Sequence, residues 1–535
     1  MSKSFRQSQS FLHTWSGLVL GWVLFVIFVA GTMAFWREGL NRWMRPELDP
    51  IEQPYIVLEG AQRFLQTKAP DAKSWFIAMP SASSAGSQVF WQPQPKLQAH
   101  PGKERGRRGR RDNQALIGAA GQPVQARETR GGDFFYRFHF DLHYMPTLWA
   151  RWLVGVAAMA MLVAILTGVV THKKIFKDFF TLRRGKGQRS WLDGHNATAV
   201  LSLPFHLMIT YTGLVTLAAM LMPWTIVANY ADATKLSDRM FPHIEARERS
   251  GTKVPLTDIA RVVRDAERRL GAPAGYIQVA EPGDAVATIT VSQAPSSMLS
   301  ARTPSLTYRG TDGALVWQSP APGVVNITAG AMIGLHAGRY ADTGLRWLYF
   351  LSGVGGCLMV ASGLVLWTVK RREKLPYPTR PHFGYRLVAW LNISVVAGFP
   401  LGIAAMLWAN RLLPMTLRGR AEWEIHVLFI AWGLALALAL VLPAKRAWIA
   451  LLGATGALLA ALPVYNVFAT RRGLTATLAQ GDAMLAGIDL SLLVFGAGFL
   501  AIAWRVSAYT QAAPRSRRKS SARLVPDTVM LEPAE

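Results

Sequence analysis

Histidines inside apolar stretches are the residues in this 535-residue chain whose type and spacing could do chemistry. The stretch Trp191–Val215 (WLDGHNATAVLSLPFHLMITYTGLV) reads as one apolar helix. It carries His195 near its start and His206 eleven residues on, and it ends at Thr212-Gly213. His195 stands eighteen residues before Gly213, and His13 stands eighteen before Gly31 in an earlier apolar run. Eighteen residues at ~100° each make about five turns, so each histidine shares a helix face with its glycine, ~27 Å away. A glycine there leaves room for a flat macrocycle. Two more histidines each precede a further run, in Asp141-Leu-His143 and Gly334-Leu-His336. Neutral imidazole is an iron ligand, and two imidazoles facing each other across a helical core are what a bis-histidine haem requires. The competing reading of each histidine is an interfacial ring half in the lipid headgroups.

A repeat relates these positions. Each odd span is followed by an outside α+β segment and then by a histidine before the next span. The even spans end alike, at Thr167-Gly168 and Ser362-Gly363; four residues after each glycine come His172 and Trp367. Pseudo-symmetry predicts His13 beside His195 at one membrane face and His143 beside His336 at the other. His206 has no counterpart. It lies ~16 Å deeper than His195 on the same helix face, and an ionisable group at that depth is a functional candidate. It is either a ligand or a neutral imidazole bonded to a neighbouring helix. His172, next to Lys173 and Lys174, either faces lipid phosphate or ligates. His100, His139, His243, His382 and His426 lack a repeat counterpart; His426, near Glu422 and Glu424, is the one to watch.

The elements that must position these residues are membrane spans. Hydrophobic residues make up 51% of the chain, and apolar runs of roughly 20 residues, the length that crosses ~30 Å of hydrocarbon, recur. The net charge of +26 comes from Lys and Arg clustered just outside those runs. That is a topology signal, and it argues against a nucleic-acid partner. A single cysteine, Cys357, excludes an intrachain disulfide and any cysteine-based cluster. The fold class expected is a polytopic α-helical membrane protein of about eight transmembrane helices, with a four-helix repeat core (2+2) and two small periplasmic α+β domains.

The boundaries expected are a first helix over 1–36, read as a retained anchor, a periplasmic α+β domain over 37–147 and a second helix over 148–172. A basic cytoplasmic loop follows at 173–190, then a third helix at 191–222, a second periplasmic domain at 223–335 and a fourth helix at 336–370. A cytoplasmic loop at 371–386 leads to four additional helices at 387–505 and a disordered basic tail at 506–535. Both termini are expected to be cytoplasmic. Helical spacing predicts helices at 56–66 and 256–270. Alternation predicts strands at 74–79, 88–92, 276–279 and 285–291, and a hairpin over 306–317 turning at Asp312-Gly313. Lys103–Arg111 is an Arg-rich insertion, either a flexible solvated run or an attractor for acidic ligands.

At these residues the chain resembles the PepSY-associated transmembrane helix family. The stretches that carry the resemblance are His13-Thr-Trp-Ser-Gly17, Asp193-Gly-His-Asn196 with Pro204-Phe205 and Thr212-Gly213, Leu335-His-Ala-Gly-Arg339, and Ser362-Gly-Leu-Val-Leu-Trp367. The segment around Leu256–Trp317 looks like a PepSY domain. The resemblance covers roughly residues 8–375. It implies a bacterial inner-membrane protein containing haem b, of a kind that includes reductases of siderophore-bound ferric iron on the periplasmic side. Other PepSY-bearing proteins are thought to modulate peptidases or sense envelope conditions. The Arg-rich insertion and the four spans after Lys374 depart from the family pattern.

The reading these lines support is a di-haem b electron conduit reducing a ferric siderophore or other ferric chelate. One haem is expected on His13 and His195 and the other on His143 and His336, with Arg339, Arg137 and Tyr144 as candidates for propionate or chelate contacts. No nucleotide-binding glycine loop is present, so electrons must come from a cytoplasmic partner or a membrane quinol. Two readings of other classes stand beside it: a non-catalytic PepSY protein that modulates peptidases or senses the envelope, and a transporter, for which no intramembrane carboxylates stand out.

Overall fold

A computed structural model of the chain describes residues 4–81, 84, 86–94, 113–172, 179, 181, 183, 185, 187–230, 233–240, 242–244, 247–377 and 380–509. The insertion at 103–111, most of the basic loop after His172 and the tail beyond Tyr509 lie outside these residues. In chain order we name α1 (Phe5–Ala34), α2 (Arg37–Trp43), α3 (Pro54–Lys68), α4 (Gly131–Asp141), α5 (Thr147–Thr171), α6 (Gln188–Leu201) and α7 (Leu203–Thr216). The second half adds α8 (Ile259–Leu270), α9 (Val324–Ala337), α10 (Thr343–Arg372), α11 (Phe383–Leu412), α12 (Arg420–Val441), α13 (Ala444–Ala469) and α14 (Ala483–Ala508).

Among the described residues seven of these helices, α1, α5, α10, α11, α12, α13 and α14, are long and apolar enough to cross a membrane, and the count is eight if the bent pair α6–α7 is one span. The chain is therefore a polytopic helical membrane protein. The expected single helix over Trp191–Val215 is instead two, bent by 66° at Ser202. The cause is legible in the sequence: Pro204 has no N–H, and its ring collides with the carbonyl one turn back. The same physics acts in α11, where Pro400 follows a wide π turn at Ile393–Gly398.

Helices α1, α5, α6 and α10 pack on one another. α1 lies along α5 and α10, and α10 lies along α6. The short helices α4 and α9 occupy matching places, each just before a span, α4 against α1 and α9 against α7. Helices α11–α14 add a second bundle. Trp22 of α1 donates to Asn392 at 2.9 Å, and Asn392 donates on to the Leu364 carbonyl of α10 at 2.8 Å, which ties the two bundles together.

Both extramembrane segments were expected to form separate domains. They form one sheet, with strand order β3-β2-β1-β4-β5-β6-β7, antiparallel throughout. The first segment supplies β1 (Ala72–Ala78), β2 (Ser87–Pro93) and β3 (Gln114–Ile117). The second supplies β4 (Ala274–Ala280), β5 (Thr288–Gln293), β6 (Ser305–Arg309) and β7 (Leu315–Gln318). The seam is β1 on β4, with Trp75 opposite Val279 and Ile77 opposite Ile277. An edge strand left alone presents unpaired N–H and C=O groups, and pairing the two edges removes that cost. Trp75, Ile77, Val89, Ile277, Val279, Ile289 and Val291 all point to one face and are buried there with α3 and α8. The side of the membrane that carries this sheet is called the sheet side below.

Candidate paired-histidine sites

Helix α1 brings His13 toward α5, and α6 brings His195 toward α10. The His13 ring lies over Gly168, where an added Cβ would sit 3.2 Å from its Cε1. Its Nδ1 is 2.8 Å from the Ala164 carbonyl, four residues before that glycine. His195 repeats the arrangement on α10: a Cβ at Gly363 would be 3.1 Å from its Cε1, and Nδ1 is 2.9 Å from the Met359 carbonyl, again four residues before. Ser362 Oγ adds a contact at 3.3 Å. The two rings face each other with centroids 6.2 Å apart and planes at 70°.

On the sheet side the second pair is His139 of α4 and His336 of α9, with centroids 5.9 Å apart and planes at 30°. His143, the residue expected opposite His336, is elsewhere. Helix α4 ends at Asp141, Leu142 adopts φ 47°, and the chain turns away. His143 stacks instead on Phe429 of α12, at 5.7 Å and 21°, and meets Phe134 edge-on at 6.0 Å. The two paired rings again sit on glycines and carbonyls one turn apart. His139 Nδ1 is 2.8 Å from the Ile27 carbonyl and lies over Gly31; His336 Nδ1 is 3.0 Å from the Ile209 carbonyl and lies over Gly213. Gly31, eighteen residues past His13 on α1, therefore receives His139, and Gly213, across the bend from His195, receives His336. At Gly31 and Gly213 a Cβ would come within 2.7 and 2.8 Å of imidazole carbon.

The chemistry of each pair follows from its hydrogen bonds. A carbonyl oxygen can only accept, so each Nδ1 carries the proton and donates, and each Nε2 keeps its lone pair. A backbone carbonyl that fixes tautomer and ring orientation is a usual partner of a metal-bound histidine. Two imidazole nitrogens each about 2 Å from one metal ion would hold their ring centres up to ~6 Å apart, and the two pairs have about that spacing. Among the described residues no group of three or more His, Cys, Asp or Glu could hold a metal ion. A pair of this kind suits a metal whose remaining ligands are brought by a macrocycle.

His206, on α7, is 1% exposed, and its Nε2 is 3.4 Å from the Ser352 carbonyl of α10. Phe28 meets its ring edge-on at 5.7 Å, and its Nδ1 is buried without a partner. His172 Nε2 accepts from the Asn196 amide at 2.8 Å, which joins the end of α5 to α6. Arg339 lies over the Tyr136 ring at 6.0 Å, and Arg37, paired with Asp133, lies over the same ring at 4.7 Å. Tyr136 is three residues from His139, so two guanidiniums and a phenol stand near the sheet-side pair. Arg137 is exposed. Tyr144 is 62% exposed and bonds through its hydroxyl to His426 Nδ1.

Sequence reasoning passed over several of these groups. His139 sits in an amphipathic, aromatic-rich helix (GGDFFYRFHFD) that reads as the end of a soluble domain. No intramembrane carboxylate stood out in the sequence, yet the added spans bury charge. Arg420, Glu424 and Asp489 are fully buried. Arg420 pairs with Glu424, Asn410 and Thr129 also donate to Glu424, and Asp489 accepts from Trp43 at 2.9 Å and Asn466 at 3.2 Å. The network clamps α11, α12 and α14 onto the segments flanking α2 and α4.

Comparison with known proteins places this geometry in a family. A family described as the PepSY-associated TM region matches residues 11–370. An uncharacterized protein of Pseudomonas aeruginosa is 27% identical over 374 residues, which span 66% of this chain and 90% of that protein. Both histidine pairs fall within the matched region, and α11–α14 lie beyond it.

Proposed function

Because the chain belongs to the family of PepSY-associated TM regions, we propose that it is a haem b electron-transfer protein of a bacterial inner membrane that reduces a ferric chelate, such as a ferric siderophore, on the sheet side. In this reading the sheet side is periplasmic and both termini are cytoplasmic. The observation that carries it is the fourfold recurrence of one arrangement: a histidine over a glycine, its Nδ1–H on the carbonyl four residues earlier, its ring ~6 Å from a second such ring. His13 with His195, and His139 with His336, would each hold one haem. A haem held there would supply one-electron chemistry.

The chain's own residues supply the rest. The backbone carbonyls of Ala164, Met359, Ile27 and Ile209 lock the tautomer that leaves each Nε2 basic. Arg37 and Arg339, flanking Tyr136, offer positive charge and an aromatic face to an anionic chelate beside the His139–His336 pair. Reduction to Fe(II) weakens binding by hard oxygen ligands and frees the metal.

Protein purified from haem-replete cells should be red, hold about two haems per chain, and show a reducible b-type spectrum that a ferric chelate reoxidises. A colourless preparation of the intact chain sinks the reading.

A further inference from the structure

Helix α12 belongs to the added bundle, yet it completes an aromatic and acid–base cluster with the loop after α4. The Tyr144 hydroxyl and His426 Nδ1 are hydrogen-bonded, and the two rings stack at 5.8 Å and 10°. Trp423 meets His426 edge-on at 5.3 Å, and Phe429 lies 4.9 Å from Tyr144. Two residues of the loop, Leu142 and Tyr144, have φ of 47° and 59°, a conformation side chains rarely adopt. It is this backbone that sets Tyr144 against α12.

Two further observations narrow what the cluster serves. It lies at the ends of α5 and α12, and Tyr144, Trp149 and Trp423 are exposed there by 62%, 68% and 47%. Aromatic residues at the ends of spans lie at the headgroup level, so the cluster is open to a molecule arriving through lipid. From it an aromatic chain runs inward: His143 stacks on Phe429, Phe429 meets Phe138 at 5.8 Å, and Phe138 is the neighbour of His139. The cluster thus joins the bilayer edge to the sheet-side histidine pair.

We propose that Tyr144 and His426, walled by Trp423 and Phe429, bind a membrane quinol and take its protons, its electrons passing to the paired-histidine sites. This rests on the electron-transfer reading above and names its donor. A lipid-soluble quinol matches the position, the aromatic walls and the need for a hydroxyl partner that can relay a proton. Partial burial, and then the Glu422 carboxylate, hold the Tyr144 phenol above its ordinary range, so it stays protonated until the relay acts. One quinol O–H gives its proton to Tyr144 as the phenol proton moves to His426 Nδ1, His426 then releases it to water on the sheet side, and the second quinol proton follows by the same relay. The two electrons would leave one at a time by way of the sheet-side His139–His336 site to two ferric chelates on that side. The sum is one quinol and two Fe(III) giving one quinone, two Fe(II) and two protons. His426 lies outside the residues that match the family, so the site is a property the added bundle confers.

The test uses the full chain in lipid nanodiscs with a photoactivatable azido-ubiquinone, followed by peptide mapping of the label. Label is expected in residues 142–152 and 423–430. Tyr144→Phe and His426→Leu should each lower it about tenfold, with haem content unchanged. In a second readout, decylubiquinol should reduce the wild-type haem faster than that of either variant by a similar factor, whereas dithionite reduces all three alike. Label elsewhere, or label and quinol rates unchanged in both variants, overturns the proposal. Label at these segments in a colourless protein supports the quinone site and retires only the haem reading.

Discussion

His139 and His336 face each other 5.9 Å apart while each donates its Nδ1–H to a different long helix, at Ile27 of α1 and Ile209 of α7. His139 rests on α1, which carries His13 about five turns away, and His336 rests on α7, which the bend at Ser202 separates from His195 on α6. Glycine is what permits this, because the imidazole occupies the space where a side chain would begin.

Gly31 gives the first prediction. An alanine there would put its Cβ 2.7 Å from His139, whereas Gly17 on the same helix has nothing within 4 Å. Gly31→Ala should displace His139 and cost about 1–3 kcal/mol by overpacking. The optical and redox signature of one of the two haems should shift, and Gly17→Ala should leave both unchanged. Redox titration of the three proteins checks this; identical titrations would detach the glycine from the site.

The buried pair Arg420–Glu424 gives the second. Both side chains are fully buried. Removing one partner strands the other charge, so Glu424→Gln or Arg420→Met alone should destabilise by about 3–5 kcal/mol, and the double change to Met and Leu should recover most of that loss. Thermal unfolding in detergent, followed by tryptophan fluorescence, gives the comparison. A double variant as unstable as the sum of the singles would contradict the account.

The third concerns pH. Asp284, between β4 and β5, accepts from the Ser250 N–H and hydroxyl and from the Gly251 and Val286 N–H groups. Burial alone would raise this carboxyl, but the hydrogen bonds outweigh it and bring the value down to about 2, from 3.8. A depressed folded-state value means the carboxylate stabilises the sheet above pH ~4, and that this stabilisation is lost as pH falls toward 2. Asp284→Asn should lower the unfolding temperature of the sheet at pH 7, and the gap from wild type should close between pH 4 and 2. A gap independent of pH would show that the charge plays no part.

The spans were legible because they are written in a local pattern, apolar run length, and the eighteen-residue spacings of His13 to Gly31 and His195 to Gly213 pointed to glycines that imidazoles do cover, though those of His139 and His336. The break at Ser202 was legible too, in Pro204, though the apolar run hid it. Other features depend on contacts remote in sequence. The pairing of β1 with β4 joins strands some two hundred residues apart, and nothing in either strand names its partner. His139 was lost because its helix looks like soluble-domain packing, while His143 mimics the Leu-His spacing of His336. Arg420, Glu424 and Asn410 lie at helix ends, where charge reads as solvated until the neighbouring segments are seen to cover it.

The central claim, that two histidine pairs each hold one haem and that His139 rather than His143 serves the sheet-side pair, turns on one comparison. Haem per chain should be counted in purified wild type, His139→Ala and His143→Ala proteins prepared side by side. The account predicts about two, one and two haems respectively. Loss of a haem in His143→Ala with retention in His139→Ala, or no haem in the wild type, would contradict it.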